Sequence, residues 1–349
     1  MLHSDIIHAS SVHFAIPSAM IYNAPWWLPG GNAQTIWAAL KGQRFAGSAP
    51  VFARQRWATL DADFIDVDFS CHATRPGAPL LVVFHGLEGS SSSHYAQAFA
   101  DAAQARGWAC VVPHFRGCSG ELNHGPRAYH SGDFEEIDWI LRRLKAQHSG
   151  PLLAVGISLG GNALMRWAGE LGSAAAQVVS AVASVSSPLD LAAGGWAIGR
   201  GFNRQVYTRM FLKTMVPKAL QKLHQHPGLF NRSALLAVRD LYAFDNVFTA
   251  PLHGFKNTDD YWLRASAKPH MAHIAVPALA LNALNDPFVP AWSLPQPADV
   301  SPSVTLWQPE QGGHVGFPAA HTLAHASAPF SAHVMAMPAA VSTFLATHL

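Results

Sequence analysis

Gly156-Ile157-Ser158-Leu159-Gly160 follows the apolar run 152–155 and precedes the helix-forming stretch 162–168. A strand, Gly-x-Ser-x-Gly and a helix in that order describe a sharp turn that lifts a serine hydroxyl clear of a sheet. The small residues two positions either side let neighbouring chain pass close to the turn. Amides at the start of the following helix can then stabilise negative charge. A serine becomes a nucleophile when a base takes its proton and a carboxylate orients that base. Asn285-Asp286-Pro287 comes after the apolar run 278–281, and Gly312-Gly313-His314 after 304–307. Ser158, Asp286 and His314 therefore each stand just past the carboxyl end of an expected strand, where all three can meet above one edge of a sheet. The expected chemistry is nucleophilic attack by the serine hydroxyl, with His314 as base and Asp286 orienting it.

Each assignment has rivals. Asp190, after an earlier strand, and Asp299 could supply the acid, and Asp286 before a proline could be a plain turn former. His321 and His325 compete with His314; four apart on an expected helix, they could in principle hold a metal, but no glutamate accompanies them and a solvated face is the simpler reading. Cys118 has nothing of the Cys-His type arranged around it and reads as a small turn residue. No metal and no organic cofactor is expected.

His85-Gly86-Leu87-Glu88-Gly89 ends another apolar run, 80–84. Two backbone amides are needed to hold the oxyanion of a tetrahedral intermediate. The simplest pair is Leu159, next to the serine, and Leu87 on this loop. His85 and Gly86, with residues of the later helical segment that cannot be singled out, are expected to contact substrate.

The elements that must position these groups alternate. Strands are expected at 64–69, 80–84, 108–112, 152–155, 178–185, 276–281 and 304–307, with helices at 95–106, up to about 147, and 339–348. The Ser90–Ser93 run reads as a cap for the second of these elements' following helix, and Asp133 with Glu136 as a capping box. Alternation of this kind means a mostly parallel sheet covered by helices on both faces, an α/β fold. Between about 191 and 271 it breaks into a helical stretch rich in basic and aromatic residues. That stretch is read as a cap over the strand ends, where such sheets bind ligands. The organisation expected is an N-terminal extension over 1–55, a core formed by 56–190 and 272–349, and a cap insertion over 191–271. Trp196, Phe202, Tyr207, Phe211, Phe230, Tyr242, Phe244, Phe248, Tyr261 and Trp262 divide between cap core and an apolar acyl pocket.

Composition narrows the function classes. Half of the 349 residues are hydrophobic and 13% are charged, with a net charge of +2, which fits a compact globular protein and not a nucleic-acid binder. Three cysteines do not make a disulfide framework and favour a reducing compartment. No apolar run reaches the ~18 residues needed to span a bilayer, and residues 1–31 lack the basic and apolar regions of a signal peptide. The reading is a soluble, cytoplasmic protein, monomeric or dimeric, acting on a small-molecule ester, with lipid esters included.

Several longer stretches are similar to the YheT-like family of α/β-hydrolases. They are Pro113-His114-Phe115-Arg116-Gly117-Cys118-Ser119-Gly120-Glu121, Tyr129-His130-Ser131-Gly132, the Ser158 turn through Asn162, Phe244-Asp245, 249–255, Asp260-Tyr261-Trp262, Asn285-Asp286-Pro287-Phe288 and 312–317. The resemblance runs from about residue 25 to the C-terminus. It implies an α/β-hydrolase fold and a serine hydrolase acting on carboxylic esters, with nucleophile, acid and base at Ser158, Asp286 and His314. The family usually has His-x-Gln-Thr near its N-terminus, where this chain has Asn32-Ala33-Gln34-Thr35; the change bears on substrate or loop contacts and leaves the three catalytic positions untouched. A thioesterase or acyltransferase would use the same three residues, and a non-catalytic binding protein on this scaffold would need none of them.

Overall fold

The computed structural model describes residues 22–320 and 331–349. Leu80–Phe84 (β3), Leu152–Ile157 (β5) and Ala181–Val185 (β6) are buried along their whole length, as continuous apolar runs in a sheet covered on both faces must be. Alternate residues serve opposite sides. Val82, Ala154 and Val182 pack against Ile137, Ile140 and Leu141 of Phe134–Gln147 (α3) and against Leu164 and Trp167 of Leu159–Leu171 (α4). Leu81, Val83, Leu153 and Val155 face Phe99 of His94–Ala105 (α2) and Val341 of the Ala336–Ala346 helix.

With Phe52–Ala58 (β1), Phe64–Ser70 (β2), Ala109–Pro113 (β4), Ala278–Leu281 (β7) and Val304–Trp307 (β8), the eight strands lie in the order β1-β2-β4-β3-β5-β6-β7-β8. β1 and β2 run antiparallel to their neighbours; the pairings from β4 to β8 are parallel. The expected mostly parallel α/β-hydrolase sheet is present, with β5 and its serine near the middle.

Several local expectations are corrected. β1, a strand that the sequence reading did not place, straddles the 55/56 boundary drawn between extension and core. Its sequence is polar, and it is held by cross-strand pairs that propensity does not reveal: Arg54 opposite Asp68 and Arg56 opposite Asp66, bonded at 2.7 and 2.8 Å. A helix at Gly30–Lys41 (α1) lies within the stretch read as an extension. The Asp133–Glu136 capping box does not form, because arginines take both carboxylates: Arg127 donates to Asp133 at 2.5 Å and Arg116 to Glu136 at 2.8 Å. Ser93 occupies the N-cap position of α2 without a side-chain cap; its hydroxyl accepts the Ser90 amide at 3.0 Å. Residues 178–180 precede β6 and are not part of it.

Between β6 and β7 every regular element is helical. Leu191–Ile198 (α5) is capped by Asp190, whose carboxylate accepts the Ala193 amide at 3.0 Å. The chain then winds from Gly201 to Gln225, with one wide π turn at Arg204–Thr208 and a proline, Pro217, within Arg209–Gln225. Among the described residues no helix is long and apolar enough to cross a membrane.

Candidate active site

Ser158 sits between β5 and α4 at φ 51°, ψ −116°, a conformation that L-residues avoid and that costs of order 1–3 kcal/mol. Close packing holds it there. A Cβ on Gly156 would come within 2.4 Å of Gly161 Cα, and one on Gly160 within 2.5 Å of the His85 carbonyl oxygen. Only glycine lets α4 approach the strands this closely.

His314 Nε2 lies 3.0 Å from Ser158 Oγ, and its Nδ1 lies 2.9 Å from Asp286 Oδ2. A carboxylate accepts, so Nδ1 carries the proton and Nε2 is the acceptor for the serine hydroxyl. Asp286 also accepts the Phe288 amide at 2.8 Å and the Val289 amide at 3.3 Å, which fixes its orientation. The Phe288 ring packs 4.1 Å from the imidazole, centroid to centroid. Among the rivals, Asp190 caps α5, and Asp299 accepts the Gln296 amide and faces Lys268 at 3.6 Å. His321 and His325 lie outside the described residues. Cys118 is buried, and burial pushes its thiol up to about 12. Among the described residues no three His, Cys, Asp or Glu side chains gather to hold a metal ion.

The amides of the loop after β3 can be accounted for one by one. Gly86 donates to the Tyr95 hydroxyl at 3.0 Å, Glu88 to the Tyr129 hydroxyl at 3.0 Å, and Gly89 to the Gly86 carbonyl at 2.9 Å. Leu87 has no acceptor among the described residues, and neither has Leu159 at the first position of α4. Both residues border the cavity that contains Ser158. His85 and Gly86 are not among the residues bordering it. The His85 ring is fully buried, accepts the Phe115 amide at Nε2 (3.0 Å) and donates from Nδ1 to the Gly86 carbonyl (2.8 Å). Burial pushes its pKa down to about 3, so the ring is neutral and shapes the loop from beneath.

The cavity, about 170 Å³, lies between the sheet edge and the helical insertion. Phe211, Met215, Phe244, Phe248 and Trp262 make its apolar wall, while Trp196, stacked on Tyr242, and the exposed Phe202 do not border it. Asp245 also borders it. Its carboxyl accepts from the Thr249 hydroxyl (2.6 Å) and Trp262 Nε1 (2.9 Å), and burial pushes it up to about 6. Lys222 also borders the cavity and donates to the Asn123 and Gly125 carbonyls at 2.7 and 2.6 Å.

Residues of α1 that the motif reading left without a role hold the Asp286 and His314 loops. Gln34 Oε1 accepts from the Gly312 amide (2.9 Å) and from Asn285 Nδ2 (3.0 Å), and Asn285 Oδ1 accepts the Gly313 amide (3.0 Å). Thr35 Oγ1 accepts the His314 amide (2.8 Å). Asn32 accepts the Tyr207 hydroxyl at 2.9 Å, and the Tyr207 ring packs 4.5 Å from Phe288. The departure from the family pattern thus lies where α1 meets the insertion. The Gln-Thr pair was the available signal, but its partners are some 280 residues away.

Comparison with known proteins agrees with this architecture. A family model for the alpha/beta hydrolase fold matches residues 79–319. The Escherichia coli esterase candidate YheT is 42% identical over 267 residues, 75% of this chain and 78% of its own length. The human phospholipase ABHD3 is 27% identical over 268 residues, 74% of this chain; that region makes up 63% of the phospholipase, less than two thirds. Among solved structures, an esterase of Pyrococcus furiosus superposes with a TM-score of 0.51 at 15% identity, covering 89% of this chain and 98% of its own.

Proposed function

The chain belongs to the YheT-like group of the α/β-hydrolase family, and from that membership we propose that it hydrolyses carboxylic esters with an apolar acyl part, through an acyl-enzyme on Ser158. One observation carries the reading: a serine on a strained turn, 3.0 Å from an imidazole whose other nitrogen meets a carboxylate at 2.9 Å.

His314 Nε2 takes the Ser158 proton as Oγ attacks the ester carbonyl. The oxyanion forms between the Leu87 and Leu159 amides, both without an acceptor among the described residues. Such a donor typically stabilises the transition state by about 3 kcal/mol. The tetrahedral intermediate collapses as the C–O bond to the alcohol breaks and the imidazolium protonates the departing alkoxide. Water then enters, loses a proton to Nε2, attacks the acyl carbonyl and releases the acid, while Oγ regains its proton. Asp286 keeps Nδ1 protonated throughout. The aromatic wall supports an apolar acyl chain, and the phospholipase relative supports lipid esters as the natural class.

A fluorophosphonate probe tests the nucleophile. The wild type is expected to be labelled and Ser158→Ala not; equal labelling of both removes Ser158 from the mechanism. A p-nitrophenyl ester series from acetate to palmitate tests the acyl class, with turnover of apolar chains expected and none on any member overturning the reading.

A further inference from the structure

Between Asp190 and Asp240 the chain contains no carboxylate and eight lysines and arginines, in a protein whose overall net charge is only +2. Part of this segment is the winding stretch from Gly201 to Gln225. Phe202, Val206 and Met210 recur every four residues along it and are 53%, 36% and 54% exposed. Arg209, three residues after Val206, and Lys213, three after Met210, share that side and are exposed. Arg200 and Arg204 are exposed nearby, and the Arg200 guanidinium lies over the ring of Trp196, itself 44% exposed. Lys218 further along has a carboxylate partner, Glu88 at 2.8 Å; Arg200, Arg204, Arg209 and Lys213 have none among the described residues. The other side of the same stretch is the packed one. Tyr207 and Thr208 are buried, and Phe211 and Met215 border the cavity at Ser158.

We propose that this outer face docks the protein on the surface of an anionic phospholipid bilayer. The interleaving of the two residue types selects the partner. Phosphate headgroups match the unpaired cations, and the acyl boundary just beneath takes up Phe202, Val206 and Met210. A nucleic acid or an acidic protein would use the cations and leave the phenylalanine and methionine in water. The helix lies on the surface and does not span it. Docked in this way, the cavity wall made by Phe211 and Met215 backs onto the lipid, so an apolar ester has a short path from bilayer to Ser158. The docking itself does not depend on the ester-hydrolase reading.

Co-sedimentation of the full chain with vesicles is the test, using phosphatidylcholine alone and phosphatidylcholine mixed with phosphatidylglycerol. Binding to the mixed vesicles is expected, with little to phosphatidylcholine alone and a decline as salt rises. Arg209→Gln with Lys213→Gln should lower the partition coefficient about thirtyfold, from about 1 kcal/mol per basic residue near an anionic surface. Phe202→Ser with Met210→Ser should also weaken it. These exposed changes should leave p-nitrophenyl butyrate hydrolysis as in the wild type. No binding of the wild type to mixed vesicles overturns the proposal, as does undiminished binding of the glutamine variant. Undiminished binding of the serine variant overturns it too, by marking the cations as a site for a nucleic acid or an acidic protein. Ser158→Ala should bind vesicles like the wild type, so a failure of ester hydrolysis and a failure of docking are read separately.

Discussion

The Thr35 hydroxyl accepts the backbone amide of His314 at 2.8 Å and donates to the Gly31 carbonyl at 2.7 Å. His314 therefore stands on a loop tied to a helix at the other end of the chain. Thr35→Val keeps the shape and removes the acceptor, leaving a largely buried N–H without a partner at a cost of about 1–3 kcal/mol. A fall of that size in denaturation free energy is expected, with kcat down tenfold or more and Thr35→Ser close to wild type. Unchanged kcat in Thr35→Val would show that this tie does not position His314.

Asp286 meets His314 Nδ1 at 2.9 Å while accepting two backbone amides. Asp286→Asn preserves the shape but can turn an N–H toward Nδ1, which favours the tautomer with its proton on Nε2. Ester turnover should drop about 10³- to 10⁴-fold, with a KM near that of the wild type. A loss smaller than tenfold would give the orienting role to another carboxylate.

Burial lowers five imidazoles among the described residues, and three of them far: His85 to about 3, His130 to about 3 and His94 to about 4. Unfolded, each binds a proton as the pH falls through about 6.5, while the folded chain does not. Their contribution to stability is complete above that pH and shrinks toward pH 4, at up to about 1.4 kcal/mol per pH unit for each ring. Urea denaturation at pH 7, 6 and 5 should give steadily falling free energies. His94→Gln, which retains a donor for the Val315 carbonyl, should flatten the slope; a profile level from pH 7 to 5 contradicts the assignment.

Cys110 and Cys118 are buried with thiols pushed up to about 12, and Cys71 is exposed. Iodoacetamide on the native protein should modify one thiol and leave ester hydrolysis intact. Inactivation that tracks modification of Cys118 would reopen a cysteine mechanism.

The parts of the site readable in the linear chain were those whose signal is local. A glycine two positions either side of Ser158 and apolar runs ahead of Ser158, Asp286 and His314 report strand, turn and helix within ten residues. Burial on both sheet faces makes those runs continuous, so β3, β5 and β6 were legible. β1 was not, because its stability comes from Arg54 and Arg56 meeting Asp68 and Asp66 on the next strand. The expected capping box at Asp133 failed for a related reason: Arg127 and Arg116, both on the β4–α3 connection itself, fold back onto the two carboxylates and outcompete the capping bond.

The sequence by itself determined the α/β class, the placing of Ser158, Asp286 and His314 just past three strands, and the helical interruption after β6, since each is written in neighbouring residues and their period. Tertiary structure alone decided that Gln34 and Thr35 hold the base loop, that His85 lies beneath the cavity, and that Phe211 faces the site while Phe202 faces water. Those outcomes depend on contacts between segments far apart in the chain. Residue types only permit such contacts; the packing of the whole molecule selects them.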